Sequence, residues 1–499
     1  MKDSETNLPS DNAKTEKLKS FSTELKFTET YIQYQNEHPA IREAMCLKAE
    51  YPDYFTGIKD NDLFAGRIEH GLVGFSPDEW GPTAFGYYCR TEVITELLAS
   101  GSYSNEEREK ISGMVDFWKA ENTSSKLRTS YPELMAKYLP DDDWMNKSGI
   151  SFPLYRLTGG NVDNQKLLRL GIPGLRKEIE AYRIKAVETK KDFRLYEGML
   201  LALDVLVEVC THYRQQAEEK ANVESDLNRK KQLLEIAATL EMITVSKPKT
   251  LREAIQLFWL YSLIGDIRNH GRMDVYLGDF YVNDLNAGIL NETEALKLLQ
   301  SLWQLMADRN TRVHGRVIIG GVGRPNEKNA DRFAILAMEA SRTVKEVEPQ
   351  LTLRLYKGMN NEVFEKALDV IGEGRTYPML YNDDINVKCV MNASGFTKEE
   401  AEQYVPFGCG EYILEHKSFA TPSSVINLLK ALEVTLHNGI DLNTNMVIGI
   451  QSGEFKDFNS FDQLWNAYRK QVEFFVDLTA KQEEIEYKVA GEVSRRHEA

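Results

Sequence analysis

Three short strand candidates that sit between helix-length segments constrain the fold of this chain most. They are RVIIGGV (316–322), PQLTLRLY (349–356) and PMLYND (378–383). Residues 291–308 and 328–345 show the periodicity of helices on either side of the first candidate. Strands that alternate with helices are typical of layered or barrel architectures. The sequence therefore predicts an α/β fold.

Further helices are predicted from periodicity and from their start signals. Residues 215–243 carry a charged face and an apolar stripe at helical spacing. The apolar run 251–264 suits a buried helix, and Thr250 suits its start. Thr397 and Glu400 have the spacing of a capping box, which predicts another helix start.

The composition limits the classes of protein to which this chain can belong. The 499 residues carry a net charge of −15, which argues against a nucleic-acid-binding surface. No apolar run is long enough to span a membrane, and the polar first residues lack the apolar centre of a signal peptide. We therefore expect a cytoplasmic protein with a disordered polar tail over residues 1–24 and one domain over residues 25–499.

The cysteines indicate free thiols in a reducing compartment. Their number is odd, their spacings are long and no C-x-x-C occurs. The eight histidines neither cluster with them nor form an H-x-x-x-H pair, so no metal site is expected. The five cysteines are Cys46, Cys89, Cys210, Cys389 and Cys409.

One of these cysteines stands in an unusual setting, the segment GCGE. Cys409 lies between Gly408 and Gly410, and Glu411 follows two positions after the thiol. Two glycines suit a backbone that turns sharply or approaches another group closely. The residues alone leave two interpretations open: a turn with a buried cysteine, or a thiol and a carboxylate presented together at a loop tip.

Six segments, in order along the chain, resemble those of the glycyl radical enzymes, the family of pyruvate formate-lyase and the diol dehydratases. They are NDLFAGRIEHGLVGFSP (61–77), GGNVDNQKLLRLGIPGL (159–175), KPKTLREAIQLFW (247–259), HGRMDVYLGDFY (270–281), YPMLYNDD (377–384) and GCGE (408–411). The resemblance implies the first half of a ten-stranded barrel, with surrounding helices and a central finger loop that carries the cysteine.

The resemblance also implies a chemistry for the GCGE segment. Cys409 would form a thiyl radical that abstracts a hydrogen from the substrate, and Glu411 would act as a base or proton relay. No cofactor is bound permanently in this family; a glycyl radical is generated by an S-adenosylmethionine-dependent activating enzyme. Elimination from a small polar metabolite in an anaerobic setting is the expected reaction, with radical decarboxylation as an alternative.

The substrate pocket is expected to differ from that of the glycerol dehydratases. Those enzymes carry a histidine where this chain has Gly160 and Asn161, and a serine near the position of Asn269 and His270. Asparagine can still hydrogen-bond a hydroxyl or a carboxylate. Asn161, Asn269 and His270 are therefore the candidate substrate-binding residues.

His270 and Asp274 have a structural alternative. His270 and Asp274 either line the pocket or form a structural histidine and a charge pair with Arg272. Asn382 and Asp383 are expected to be turn residues that support the pocket rather than reacting groups.

No R-V-x-G-Y/F segment, which holds the radical glycine in this family, occurs in the 499 residues. The final YKVAGEVSRRHEA has Lys488 and Glu492 at the key positions, and residues 462–497 are predicted as one helix. We therefore expect the second half-barrel and the radical domain to be absent. Three hypotheses remain: a cysteine-bearing subunit completed by a second chain, an incomplete copy, or a silent scaffold. We also expect an apolar surface that is either exposed or buried by self-association in a homo-oligomer.

Overall fold

The computed structural model describes residues 20–76, 86–133, 135, 151–153, 162–309, 315–407, 411–414, 417 and 424–495. Within these ranges the helices are α1 (Ser22–Tyr34), α2 (Pro39–Glu50), α3 (Thr91–Ser100), α4 (Asn105–Glu121), α5 (Thr123–Ser130), α6 (Asn164–Glu188), α7 (Arg194–Val223), α8 (Leu227–Val245), α9 (Leu251–Ile264), α10 (Met273–Asn286), α11 (Glu292–Asp308), α12 (Glu327–Val344), α13 (Asn361–Gly372), α14 (Asp383–Ser394), α15 (Lys398–Ala401), α16 (Leu428–Leu436) and α17 (Phe461–Val493). The strands are β1 (Val73–Ser76), β2 (Gly86–Cys89), β3 (Ser151–Pro153), β4 (Asn269–Arg272), β5 (Arg316–Gly320), β6 (Gln350–Leu355), β7 (Met379–Asn382), β8 (Tyr404–Phe407), β9 (Glu411–Leu414) and β10 (Ser424–Ile426).

A parallel sheet of four strands, in the order β4-β5-β6-β7, organises the second half of the described chain. The strands pair in register, for example Val317 with Leu351 and Leu353 with Leu380. The connecting segments carry helices α10 to α13, as parallel strands require crossover connections. The predicted α/β class is confirmed, and all four strands end at the same edge of the sheet.

The two faces of this sheet differ in chemistry. Successive strand residues point to opposite faces, and the face toward the helices belongs to the main hydrophobic core. The core-facing residues are Val317, Ile319, Leu351 and Leu353. The opposite face, called the inner face below, carries buried polar side chains. The inner-face polar residues are Asn269, Arg316, Thr352 and Arg354.

The predicted helix starts are confirmed. The Thr250 side chain accepts a hydrogen bond from the backbone N–H of Glu253 at the start of α9. Thr397 forms the predicted capping box with Glu400, although α15 has only four residues before β8 begins at Tyr404.

The helical character predicted for residues 215–243 is confirmed, but the segment belongs to two helices. Helix α7 ends at Val223, and α8 begins only at Leu227. The side chain of Asp226 accepts a hydrogen bond from the backbone N–H of Arg229. An N-cap of this kind satisfies an otherwise unpaired donor and so favours a new helix at this point.

The ends of the described chain are helical. Residues 1–19 lie outside the described residues, and α1 begins at Ser22, inside the segment predicted as a tail. Phe21 and Glu24 are buried there. The long helix predicted over 462–497 is confirmed as α17. None of the helices in the described ranges has the length and apolar character needed to cross a membrane.

Apolar side chains remain exposed along one edge of the sheet and between residues 428 and 465, a range that includes the start of α17. Strand β7 is an edge strand within the described sheet. The exposed residues near this edge are Leu380, Ile385 and Tyr412, and those of the second group are Leu428, Leu429, Phe455, Phe461 and Trp465. An edge strand with apolar side chains is a surface that can pair with further chain.

Candidate active site

The GCGE segment lies between two paired strands. Strands β8 and β9 are antiparallel, with Tyr404 opposite Leu414 and Phe407 opposite Glu411. Residues 408–410, which include Cys409, lie outside the described residues, and Glu411 is the first residue of β9. The three residues between the paired positions are the connection from β8 to β9.

Strand β8 crosses the inner face of the parallel sheet. Near the end of β4, the Arg272 Nη1 donates to the carbonyl oxygen of Glu402 at 3.1 Å. At the start of β4, the Asn269 Nδ2 lies 3.5 Å from the carbonyl oxygen of Pro406, its hydrogen-bond acceptor. The path from Glu402 to Pro406 therefore runs from the carboxyl edge of the sheet toward its amino edge.

A buried ion pair holds this strand at the carboxyl edge. The Arg354 guanidinium donates two hydrogen bonds to Asp383, from Nε at 3.0 Å and from Nη2 at 2.8 Å. It also donates to the carbonyl oxygens of Tyr404 at 2.8 Å and Glu402 at 3.0 Å. We call this unit the Arg354–Asp383 clamp.

The aromatic ring of Tyr404 completes the clamp. The Arg354 guanidinium carbon lies 3.9 Å from the centre of this ring, which is cation–π geometry. The Tyr404 hydroxyl donates to Asp383 at 2.6 Å. Because Arg354 is 0% exposed, these contacts are shielded from water and bind β8 firmly.

A second buried ion pair lies beside the clamp. Arg324 contacts Asp274 at 3.1 Å and Asp331 at 2.8 Å, and the backbone N–H of Gly320 donates to Asp274. Burial raises the pKa of Asp274, and the neighbouring arginines oppose this effect. The nearest ion-pair partner of Asp274 is thus Arg324, rather than Arg272 as the structural alternative supposed.

The adjacent residues Asn269 and His270 lie on opposite faces of β4. Asn269 faces β8, whereas the His270 ring packs against Phe258 of α9, with ring centres 5.2 Å apart. Burial lowers the pKa of His270 to about 3, so its imidazole is neutral. The third predicted binding residue, Asn161, lies outside the described residues.

The last residue of β7 and the first residue of α14 have separate roles. The Asn382 side chain caps α14 by accepting a hydrogen bond from the backbone N–H of Asp384. Asp383 supplies the clamp carboxylate. Both therefore support the site structurally, as expected for this pair.

Sequence reasoning missed Arg316 and Thr352. The Arg316 Nη1 donates to the Thr352 hydroxyl at 2.9 Å and lies 3.7 Å from the Met379 sulfur. The signal was present in QLTLRL, where polar residues alternate with leucines in a buried strand. Alternation shows that the two faces of a strand differ, but a single segment does not show what its polar face contacts.

Glu348 lies at the amino edge of the same sheet. Burial raises the pKa of this carboxyl to about 7, and the charges of Arg316 and Arg268 act against the rise. Its Oε1 accepts a hydrogen bond from the Gln350 amide at 3.2 Å. Within the described ranges, no group of three histidine, cysteine or acidic residues is arranged to hold a metal ion.

Comparisons with known proteins agree with this architecture. Trans-4-hydroxy-L-proline dehydratase of Clostridioides difficile is 27% identical over 489 residues, which cover 90% of this chain and 60% of the relative. The (2S)-3-sulfopropanediol dehydratase of Klebsiella oxytoca is 24% identical, with 89% of this chain and 57% of the relative covered. This chain therefore spans about 60% of the length of these curated relatives.

Solved structures show the same fold. The hydroxyproline dehydratase of Clostridioides difficile with its substrate bound superposes with a TM-score of 0.77 at 24% identity, covering 95% of this chain and 62% of that one. The glycerol-bound B12-independent glycerol dehydratase of Clostridium butyricum also gives 0.77, at 22% identity, covering 95% and 63%.

The profile of the pyruvate formate lyase-like family matches residues 5–496, almost the whole chain. The relatives and solved structures that match include glycyl radical enzymes, as the resemblance of the six sequence segments implied. The chain belongs to the pyruvate formate lyase-like family.

Proposed function

We propose that this chain supplies the thiol and the carboxylate of a glycyl radical enzyme that catalyses elimination from a small polar metabolite. One observation carries the proposal: β8, the strand that precedes Cys409, crosses a polar inner face and is held there by the Arg354–Asp383 clamp, and β9 pairs with it. Two similar proteins are named as dehydratases, and isethionate sulfite-lyase of Desulfovibrio desulfuricans is 24% identical over 94% of this chain and 60% of its own length.

Each step of the proposed reaction uses a residue of the GCGE segment. The glycyl radical, once installed, takes the hydrogen atom of the Cys409 thiol. The thiyl radical then abstracts a hydrogen atom from a substrate carbon, so that an S–H bond forms and a C–H bond breaks. Glu411 accepts the proton of the hydroxyl on the carbon that has lost its hydrogen. At the same time, the leaving group departs from the next carbon with the electron pair of its bond. The thiol returns its hydrogen atom to the product radical.

The positions of these two residues suit this division of labour. Glu411 follows Cys409 by two positions, so one short segment carries both the thiol and the carboxylate. A general base must be within hydrogen-bond reach of the proton it removes. A carboxylate beside the thiol would be placed to act on the carbon next to the one that loses hydrogen.

The three candidate substrate-binding residues are proposed to have different roles. Asn269 faces β8 and is proposed to contact substrate. His270, on the opposite face of the same strand, is proposed to orient β4 by packing on α9, while Asn161 is retained as a binding residue from the sequence pattern alone.

Activation requires partners. We propose an S-adenosylmethionine-dependent activating enzyme, and a glycine radical segment that lies outside these 499 residues, on the same polypeptide or on a second chain. Self-association through the exposed apolar edge near Leu380 is a further expectation.

The test is anaerobic. The chain is used as bait in anaerobic cells, and the purified complex is activated and examined by electron paramagnetic resonance. It is then offered trans-4-hydroxy-L-proline, (2S)-3-sulfopropanediol, isethionate, glycerol and 1,2-propanediol. A glycyl doublet and turnover that depends on Cys409 are expected. The absence of a radical, or equal turnover by Cys409→Ala, would overturn the proposal.

A further inference from the structure

Aromatic and aliphatic side chains meet on the surface where α16 and α17 begin. The rings of Phe461 and Trp465 stack with their centres 6.3 Å apart, and the centres of Trp465 and Tyr468 are 5.9 Å apart. The Tyr468 hydroxyl donates to the carbonyl oxygen of Leu428 at 3.2 Å, which joins these rings to α16. We call this surface the aromatic patch; its members are Leu428, Leu429, Phe461, Trp465 and Tyr468.

The aromatic patch is open to solvent, whereas another flank of α17 is buried. Leu429 is 76% exposed, Phe461 74% and Trp465 51%. Ala467 and Phe475 belong to the buried flank, and Phe475 packs in a core cluster with residues of α16. Single exposed apolar residues are common on proteins, but several that contact one another typically mark an interaction site. The buried flank therefore holds α17 in place and leaves the patch available to a partner.

Opposite charges lie on either side of Trp465 along α17. Asp462 precedes Trp465 by three positions and Arg469 follows it by four, and residues at these spacings are neighbours on a helix surface. Arg469 forms an ion pair with Glu473 at 3.7 Å, in which both side chains are more than half exposed. Exposed pairs of this kind contribute little stability, so Arg469 can exchange this contact for another.

This arrangement is complementary to a second copy of itself. In a two-fold contact, residue i of one copy faces residue j of the other, and j faces i. If two copies of α17 meet antiparallel with Trp465 at the centre, Asp462 of each copy faces Arg469 of the other. The rings then form the apolar centre of the contact and the charges form its rim, as in other interfaces. Because the chain carries a net charge of −15, two copies repel each other at long range, so opposite charges must meet where they touch.

We propose that the aromatic patch is the contact surface between two copies of this chain, with Asp462 of each copy paired with Arg469 of the other. Trp, Tyr and Arg are the residue types enriched among those that carry most of the binding energy of interfaces, and this surface supplies all three. The inference goes beyond the proposed reaction, because none of these residues belongs to the GCGE segment or to the Arg354–Asp383 clamp. It also names a surface for self-association other than the edge near Leu380.

Analytical ultracentrifugation of the whole chain over a concentration series measures the self-association. The wild-type chain is expected to form a dimer. Trp465→Ala should raise its Kd at least about 30-fold, the factor expected for a residue that dominates an interface. Leu380→Ala, at the exposed edge of the sheet, should form the dimer with an unchanged Kd.

A charge exchange tests the antiparallel geometry. Asp462→Arg and Arg469→Asp should each raise the Kd at least about tenfold, because like charges then face each other across the contact. An equimolar mixture of these two variants should dimerise as wild type does, since each copy supplies the charge that the other lacks. Lys481→Asp, at an exposed position further along α17, is the matched control for charge reversal and should leave the Kd unchanged.

The outcomes separate this surface from its alternatives. A wild-type chain that stays monomeric up to about 100 μM overturns the proposal, because interfaces of standard size have Kd values from μM to pM. A dimer that resists Trp465→Ala but is lost in Leu380→Ala assigns the contact to the edge of the sheet and also overturns it. A mixture of the two charge variants that does not recover the dimer rejects the antiparallel pairing. Turnover that does not depend on Cys409 would refute the proposed reaction while leaving this contact in place.

Discussion

Replacing Arg354 by lysine should loosen the hairpin that presents Cys409 while leaving the rest of the sheet in place. The guanidinium forms four hydrogen bonds, two with Asp383 and one each with the carbonyl oxygens of Glu402 and Tyr404. Lysine keeps the charge, but a single ammonium nitrogen cannot reproduce the planar fork. We expect about two of the four contacts to be lost.

The free energy lost in Arg354→Lys can be estimated from the buried hydrogen bonds of the clamp. Hydrogen bonds to charged groups each contribute about 1.5–3 kcal/mol net, so two lost contacts weaken the attachment of β8 by roughly 3–6 kcal/mol. That range includes the cost of about 3–5 kcal/mol for breaking a buried ion pair. Since about 1.4 kcal/mol corresponds to a tenfold change, opening of the hairpin should become at least roughly 100-fold more frequent.

Hydrogen–deuterium exchange with mass spectrometry measures this opening. Peptides that cover residues 404–407 and 411–414 should exchange at least about 100-fold faster in Arg354→Lys, whereas peptides from β5 should change little. Arg342→Lys is the control because its two hydrogen bonds to Glu339 lie on the surface of α12. In the active complex, kcat should fall more than KM changes. Unchanged exchange in the hairpin, or an equal increase throughout the sheet, would refute the role of the clamp.

Four further changes test the site and the fold. Cys409→Ala should abolish turnover in the activated complex, and retained turnover would contradict the thiyl mechanism. Glu411→Gln should leave the glycyl signal intact but stop elimination; normal product formation would remove the base assignment. Thr250→Ala removes the cap of α9 and should lower the free energy of unfolding by about 1 kcal/mol in urea titrations, unlike Thr250→Ser. Burial raises the pKa of Glu348 from 4.5 to about 7, so the folded state binds more protons in this window and stability falls as pH rises through it. Between pH 4.5 and pH 8, the free energy of unfolding of Glu348→Gln should therefore rise relative to that of wild type by up to roughly 3 kcal/mol. A difference that does not change with pH would argue against the raised pKa of Glu348.

The strands and helices were predictable where local pattern decides them. Residues 316–322 and 349–356 are short buried strands between helices, and Thr250 and Thr397 cap helices by a contact only three residues away. The break between α7 and α8 was missed because helical periodicity continues across it, whereas the N-cap at Asp226 starts a new helix locally.

The site was less predictable because its contacts join distant parts of the chain. Arg354 and Asp383 are 29 residues apart, and Tyr404 lies a further 21 residues on. No periodicity links such positions. Likewise, Asn269 and His270 were equally good candidates for the pocket from the sequence alone. They are adjacent in β4, and the structure places their side chains on opposite faces of the strand.

In the proposed reaction, the clamp would hold the segment before Cys409 in a way that does not depend on the substrate. Arg272, Arg354 and Asn269 all contact carbonyl oxygens of the 402–406 segment, and every residue type has a backbone carbonyl. Side chains from β4 and β6 therefore hold this segment through its backbone, and the Tyr404 side chain of β8 adds its contacts with Arg354 and Asp383. We therefore expect a change at Arg354 or Asp383 to loosen the 402–406 segment and to lower turnover of every substrate, whereas changes elsewhere in the pocket should alter substrate preference.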